Sequence, residues 1–435
     1  MSTPSGHTDG HTAGHTAGPP AGYTAVEKIL ARAAHLEHVR ADAVIWAEPD
    51  MIAAHDLNYH RHRKLIASLG YANLATPDKV LVTIDHTTHS AAPGHLQAQA
   101  FMRADTKAQN VRWFFDTGRH GISHNLPLET GALAPGMLVV AADTRAPALG
   151  CDGAIGIALG MSVTLALATG RVWLRVPRTI RIDLHGTPRR GVMSRDIAQW
   201  IAARIGADAG DYKCIEFCGP YLHNATQDER HTLCNAVVDI GAKTAICPDA
   251  STRWCSDDNA VFDQRLAWDV GVIEPQICLP PDPQNCVPLA QALGTPITSA
   301  FIGSCIGGKM EDLRAAAEVL RGRCVAPGVR LTVIPATQAI YRQALREGLI
   351  ADISLAGAEV AVGICGPCYG TYAPLGDGDT SICTATRNDT GRLGSMQSTV
   401  YIANAAVVAA SAVAGRIANP AALPEHKPAT AEGVI

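Results

Sequence analysis

Cys305, Cys365 and Cys368 are the side chains whose type and spacing reach furthest toward chemistry in this sequence. The last two form a C-x2-C pair in ICGPCYG (364–370), where Gly366 and Pro367 favour a tight turn. Such a pair exchanges electrons as a dithiol, helps close a structural zinc site, sits in a core as two buried thiols, or ligates a larger metal group. A thioredoxin-like dithiol opens a helix, whereas the continuation GTYAPLGDGD reads as loop. A structural zinc site takes four ligands, and no second C-x2-C pair occurs to complete one. The larger group needs a third thiolate, and FIGSCIGGKMEDLRAAAEVL (301–320) offers Cys305 in a Gly/Ser turn between an apolar strand and an amphipathic helix. Such a turn also presents free backbone N–H groups. Cysteines spaced C-x59-C-x2-C can hold three irons of a four-iron cube, which leaves the fourth iron open as a Lewis acid.

Polar side chains suited to proton transfer and carboxylate binding accompany them. Asp85-His86 puts a carboxylate beside an imidazole at the end of KVLVTI (79–84), a pair able to hold and give a proton. Arg387 and Arg392 flank a Gly-containing loop in TRNDTGR (386–392), where two guanidinium groups can converge on one carboxylate. Taken alone, an R-x4-R pair reads as two solvated surface arginines.

These residues need a scaffold that gathers distant loops. Short β-branched runs alternate with helical patterns: KVLVTI before a polar loop, MLVVAAD (137–143) before a Gly-rich turn, RLTVIPA (330–336) before TQAIYRQALREG (337–348). The alternation predicts an α/β fold with mostly parallel sheets and functional loops at the carboxyl ends of strands. Composition breaks at RVPRTIRIDLHGTPRRG (175–191) and IEPQICLPPDPQNCVP (273–288) divide the chain into a tail (1–22) and domains at 23–180, 181–277 and 278–435.

The bulk composition excludes several function classes. With 435 residues, 47% hydrophobic and 17% charged, the chain is long and apolar enough for several packed cores. A net charge of -4 and the lack of basic runs give no footprint for nucleic acid. The opening MSTPSGHTDGHTAGHTAGPPAG has no apolar segment resembling a signal or membrane anchor, so a cytoplasmic location is expected. That tail reads as disordered, with His7, His11 and His15 able to hold a divalent ion weakly. YIANAAVVAASAVAG (401–415) is too short to span a bilayer and reads as a buried helix. Thirteen cysteines, an odd number, argue for reduced thiols. Cys151, Cys214, Cys247, Cys278 and Cys324 read as small buried hydrophobes.

GSC-x59-CGPC, the DH at 85–86, GISHNLPLETGALAPG (121–136) and TRNDTGRLGS (386–395) together resemble the aconitase superfamily. The likeness runs from about residue 23 to about 420 and is nearest to the large iron–sulfur subunits of the isopropylmalate isomerase and homoaconitase branch. The resemblance implies three α/β/α domains around a [4Fe–4S] cluster held by Cys305, Cys365 and Cys368. It also implies a hydro-lyase reaction on a 2- or 3-hydroxy dicarboxylate. It assigns Asp85, His86, His124 and Asp143 to catalysis. It places His55, Thr144, Arg145, Asn235, Asp239, Arg387, Asn388 and Arg392 around the substrate. A separate small subunit is expected to bring the catalytic serine.

The sequence departs from that family at its pocket. Where Asp-Ser-His is usual it reads Asp143-Thr144-Arg145, exchanging an imidazole for a permanently charged fork that either binds an extra anionic group or holds a carboxylate differently. Ile306 and Gly307 follow Cys305, Asp239 is a shorter acid than usual, and Thr386 precedes the arginine loop. These changes point to a shifted substrate in a specialised pathway, or to dehydration without rehydration. A cluster-dependent sensor or RNA binder is the non-enzymatic alternative. Ser194-Arg195, the one Ser-Arg pair, opens a helical pattern in which the serine reads as a cap.

Overall fold

The computed structural model describes residues 21–361 and 363–424. His7, His11 and His15 lie outside these residues, while Gly22, at the end of the expected tail, already donates its N–H to the Asn259 carbonyl at 3.2 Å.

The chain is α/β, with its strands in three main sheets. The first is wholly parallel, in the order Trp113–Phe115, Val80–Thr83, Met51–His55, Leu138–Ala141, Ile155–Ala158. The second, also parallel, runs Thr244–Ile246, Cys214–Cys218, Thr179–His185, Gln264–Asp269. The third has seven strands. Cys286–Pro288 and Gln276–Cys278 join antiparallel beside Thr399–Ala403, and Thr380–Cys383, Ser299–Ile302, Arg330–Val333 and Glu359–Val360 continue in parallel.

Parallel strands covered on both faces read as continuous apolar runs, and that is what these segments are. VLVT at 80–83, LVVA at 138–141 and SAFI at 299–302 are buried at every position. The helices follow the expected pattern. Met310–Leu320 turns Leu313, Ala316, Ala317 and Leu320 inward, and Gln338–Arg346 is capped by the Thr337 hydroxyl, which accepts from Ile340 N.

Three expectations need correction. The segment 401–415 is the end of a strand, Thr399–Ala403, followed by the helix Ala405–Ala414, because Asn404 caps the helix and separates the two. Ser194 does not cap its helix: Met193 is the capping position, the Asp196 carboxylate accepts the Met193 N–H at 2.7 Å, and the Ser194 hydroxyl donates to Glu311 at 2.9 Å. Cys324 is exposed, beyond the end of the helix Met310–Leu320.

Candidate functional site

Six loops that leave parallel strands at their carboxyl ends meet in one place, the usual position of ligand sites in such sheets. His55 ends Met51–His55, Asp85 and His86 follow Val80–Thr83, and Asp143, Thr144 and Arg145 follow Leu138–Ala141. Cys305 follows Ser299–Ile302, Cys365 and Cys368 follow Glu359–Val360, and Arg392 lies on the loop after Thr380–Cys383. A cavity of about 200 Å³ lies between them, lined by His86, His124, Asp143 to Arg145, all three cysteines and Arg392. Leu57, Tyr369 and Thr386 complete its wall.

The backbone around Cys305 is tightly determined. Ser304 holds φ +73°, unusual for a residue with a side chain, and its hydroxyl donates to the Thr384 carbonyl at 3.1 Å. A side chain at Gly307 would bring its Cβ within 2.3 Å of Thr384 Cβ, so the turn packs against the neighbouring strand only with glycine there. Asn235 Nδ2 donates to Cys305 Sγ at 3.2 Å, and Asn125 Nδ2 to the Cys305 carbonyl at 3.1 Å. The Cys365 N–H donates to the Asp85 carbonyl at 2.9 Å, tying the C-x2-C turn to the Asp-His pair.

The thiols differ in ease of ionisation. Burial pushes Cys305 up to about 12, opposed by the Arg145 guanidinium. Cys368 falls to about 7 because the Cys365 thiol hydrogen-bonds to it, with Arg392 adding to the effect against the cost of burial. Among the described residues, the group of metal-capable side chains with ligand atoms within 4.8 Å of one another is His55, Asp56, Asp85 and His86, whereas the cysteines stand around the 200 Å³ cavity. Three thiols lining a void, one readily deprotonated and another already accepting an N–H bond, fit a multinuclear group better than a single ion.

His86 is the charged member of the polar wall. Burial disfavours its cation, yet Asp85, with further help from Asp56 and Asp143, outweighs that and raises it to about 9. Its Nδ1–H donates to Asp85 at 2.5 Å, and Nε2 lies 3.9 Å from Asp143. His55 stacks on the same ring at 4.2 Å. His124, by contrast, is lowered to about 4 by burial, with Nδ1 3.6 Å from Asp143 and no hydrogen bond to either ring nitrogen. Burial opposes ionisation of Asp143 too, but His124, His55 and His86 hold it well below the usual carboxylate range. The cavity thus places a protonated imidazole, a neutral imidazole, a carboxylate and a guanidinium beside three thiols, a set able to donate a proton and bind an anion.

Several predicted residues stand behind the wall. Arg145 borders the cavity, but its fork is occupied by Asp239 and the Asn235 carbonyl. Neither anion-binding role expected of it therefore has a free guanidinium. Asp239 is the partner in that pair, and Asn388 uses Nδ2 on the Leu279 and Val400 carbonyls, which pins the arginine loop. Arg387 pairs with Asp389 at 2.9 Å, and of the two arginines of that loop it is Arg392 that lines the cavity. Sequence reasoning missed Asp56, whose carboxylate accepts the His86 and Thr87 N–H groups and the Thr87 hydroxyl. It also passed over Tyr369, inside the quoted ICGPCYG, which tilts against the His86 ring at 5.5 Å. The pairing of His55 with Asp56 at a strand end, like Asp85-His86, was the available signal for the first.

The family profile described as Aconitase family (aconitate hydratase) matches residues 27–253 and 290–415. A protein of Pyrococcus furiosus named 3-isopropylmalate dehydratase large subunit 1 is 35% identical, covering 91% of this chain and 98% of its own length. Proteins named 3-isopropylmalate dehydratase large subunit from Aquifex aeolicus and Moorella thermoacetica are 36% and 37% identical over 91% of this chain and 96% and 98% of their own. With a profile spanning most of its length and relatives this similar from end to end, the chain belongs to the aconitase family.

Proposed function

We propose that the chain is the large subunit of an iron–sulfur hydro-lyase that removes and returns water on a 2- or 3-hydroxy dicarboxylate of the alkylmalate type. The observation that carries this reading is the single cavity shared by Cys305, Cys365, Cys368, His86, His124, Asp143 and Arg392. The names of the relatives, dehydratase large subunits, support the same reaction class and a divided enzyme.

In this reading Cys305, Cys365 and Cys368 would hold a [4Fe–4S] cluster, which would supply Lewis acidity toward the leaving hydroxyl. His86, kept charged by Asp85, gives the proton from Nε2 that turns hydroxide into water. Asp143 lies between the two imidazoles and orients both. His124 stays neutral and donates or accepts a hydrogen bond without adding charge. Arg392 and the Thr144 hydroxyl hold a substrate carboxylate. Buried walls exclude water from these contacts, which strengthens them.

A base is also needed at carbon. Among the described residues no serine lines the cavity, and Ser194 is engaged with Glu311. We therefore assign the base to a serine on a small partner chain, which also reads the substrate's variable group. The test is an anaerobic assay of the chain with and without a candidate small subunit, following double-bond absorbance and the rehydrated acid. Turnover by the pair and none by either chain alone is the expected result. Full turnover by this chain alone, or none with any alkylmalate, would overturn the reading.

A further inference from the structure

A larger cavity lies away from this site. It measures about 710 Å³ and opens at the carboxyl ends of Cys214–Cys218 and Thr244–Ile246, with Cys151, Cys218, Cys247 and Cys255 in its wall. Cys247, on that wall, has its Sγ 3.6 Å from Sγ of Cys234, which is fully buried behind it. Cys234 belongs to the helix Gln227–Ala236 and Cys247 follows the strand Thr244–Ile246. The two elements pack together, so each thiol has the other as its facing neighbour. Bringing the sulfurs to a bond length of about 2.05 Å asks for a movement of roughly 1.5 Å, within reach of side-chain rotation and a small shift of the helix end.

That helix end leads to the site. The residue after Cys234 is Asn235, whose amide donates to Cys305 Sγ at 3.2 Å and whose carbonyl accepts Arg145 Nη1 at 3.1 Å. A displacement at Cys234 therefore arrives one residue later at a hydrogen bond to a proposed cluster ligand.

We propose that Cys234 and Cys247 form a reversible dithiol–disulfide couple, oxidised through the large cavity by a low-molecular-weight disulfide and felt at the site through Asn235. The Cys247 thiolate attacks one sulfur of the incoming disulfide, whose S–S bond breaks and releases one small thiolate. Cys234, giving up its proton, then attacks Cys247 Sγ and expels the second. Two electrons and two protons leave the protein dithiol, and the small disulfide is reduced to two thiols. Cys247 is the entry point because it lines the cavity, and Cys234 is the resolving thiol because Cys247 stands between it and that cavity.

The effect on activity rests on the proposed function, but the cross-link does not. The anaerobic, cluster-loaded protein is treated with glutathione disulfide, then mapped by alkylation and peptide mass. The expected result is a Cys234–Cys247 cross-link that dithiothreitol reverses, and a C234A variant that instead retains one glutathione on Cys247. Assayed together with the small subunit and with iron content unchanged, turnover should fall at least about tenfold, since a displacement of about 1 Å can cost on the order of a hundredfold. If both thiols remain alkylatable, or the cross-link forms between other cysteines, the couple is overturned whether or not the enzyme assay succeeds. A correct cross-link with unchanged turnover overturns the link through Asn235.

Discussion

The guanidinium of Arg145 meets the carboxylate of Asp239 in a two-pronged pair, at 2.7 and 2.9 Å, with both side chains nearly closed to solvent. The pair joins the loop after Leu138–Ala141 to the short 3-10 turn Val237–Ile240 that follows the helix carrying Asn235, and the Arg145 N–H also donates to Asp143 at 2.9 Å. Arg145 is thus a positioning residue. Its backbone N–H fixes Asp143 beside the two histidines while its guanidinium is taken up by Asp239.

Removing one partner of a buried pair strands the other. D239L should therefore destabilise the apoprotein by about 3–5 kcal/mol, whereas R145M/D239L should lose clearly less than R145M and D239L summed. Urea unfolding of the four proteins measures the coupling. Additive losses would show that the pair holds nothing together.

His86 sets an upper pH limit. Its folded pKa, about 9, lies above the ordinary 6.5, so its stabilising contribution is complete below about 6.5 and disappears as pH rises through about 9. Turnover should fall across the same upper range as the proton donor is lost. D85N removes the charge that does most to hold the proton and should move this limb toward neutrality. A kcat profile that does not respond to D85N would assign the limb to another group.

His124 acts at the acid end with the opposite sign. Burial lowers it from 6.5 to about 4, so the unfolded chain binds the extra proton first, and the contribution present above about 6.5 is lost as pH falls toward 4. H124Q has no such proton to take up. Its unfolding midpoint should fall less than that of the parent between pH 7 and pH 5, and an equal fall in both would contradict the assignment.

Gly307 tests the packing of the cysteine turn. G307A brings a Cβ against the Thr384 side chain and should cost about 1–3 kcal/mol of stability, with weaker retention of iron. Thermal unfolding and iron content after gel filtration measure both. An unaffected variant would mean the turn relaxes freely.

Strands and motifs were legible because their signals are local. KVLVTI and RLTVIPA carry short β-branched runs and became Val80–Thr83 and Arg330–Val333, while the turn around Cys305 announced itself through its glycines. The aconitase-like α/β fold followed from alternation and from ordered motifs. Partnerships between distant loops were not legible. Nothing in DTR or CNAVVD says that Arg145 and Asp239, 94 residues apart, close on each other, or that Asn388 spends its amide on backbone carbonyls. The boundary inside 401–415 was hidden because strand and helix there are both apolar, and one asparagine divides them.

The most direct measurement is iron and acid-labile sulfide per chain, with EPR, after anaerobic reconstitution of the parent and of C305S and C365S. The account predicts about four of each in the parent, the spectrum of a cluster that readily loses its open iron, and loss of the signal in both variants. Zinc or no metal in the parent, or a full iron load in C305S, would contradict it.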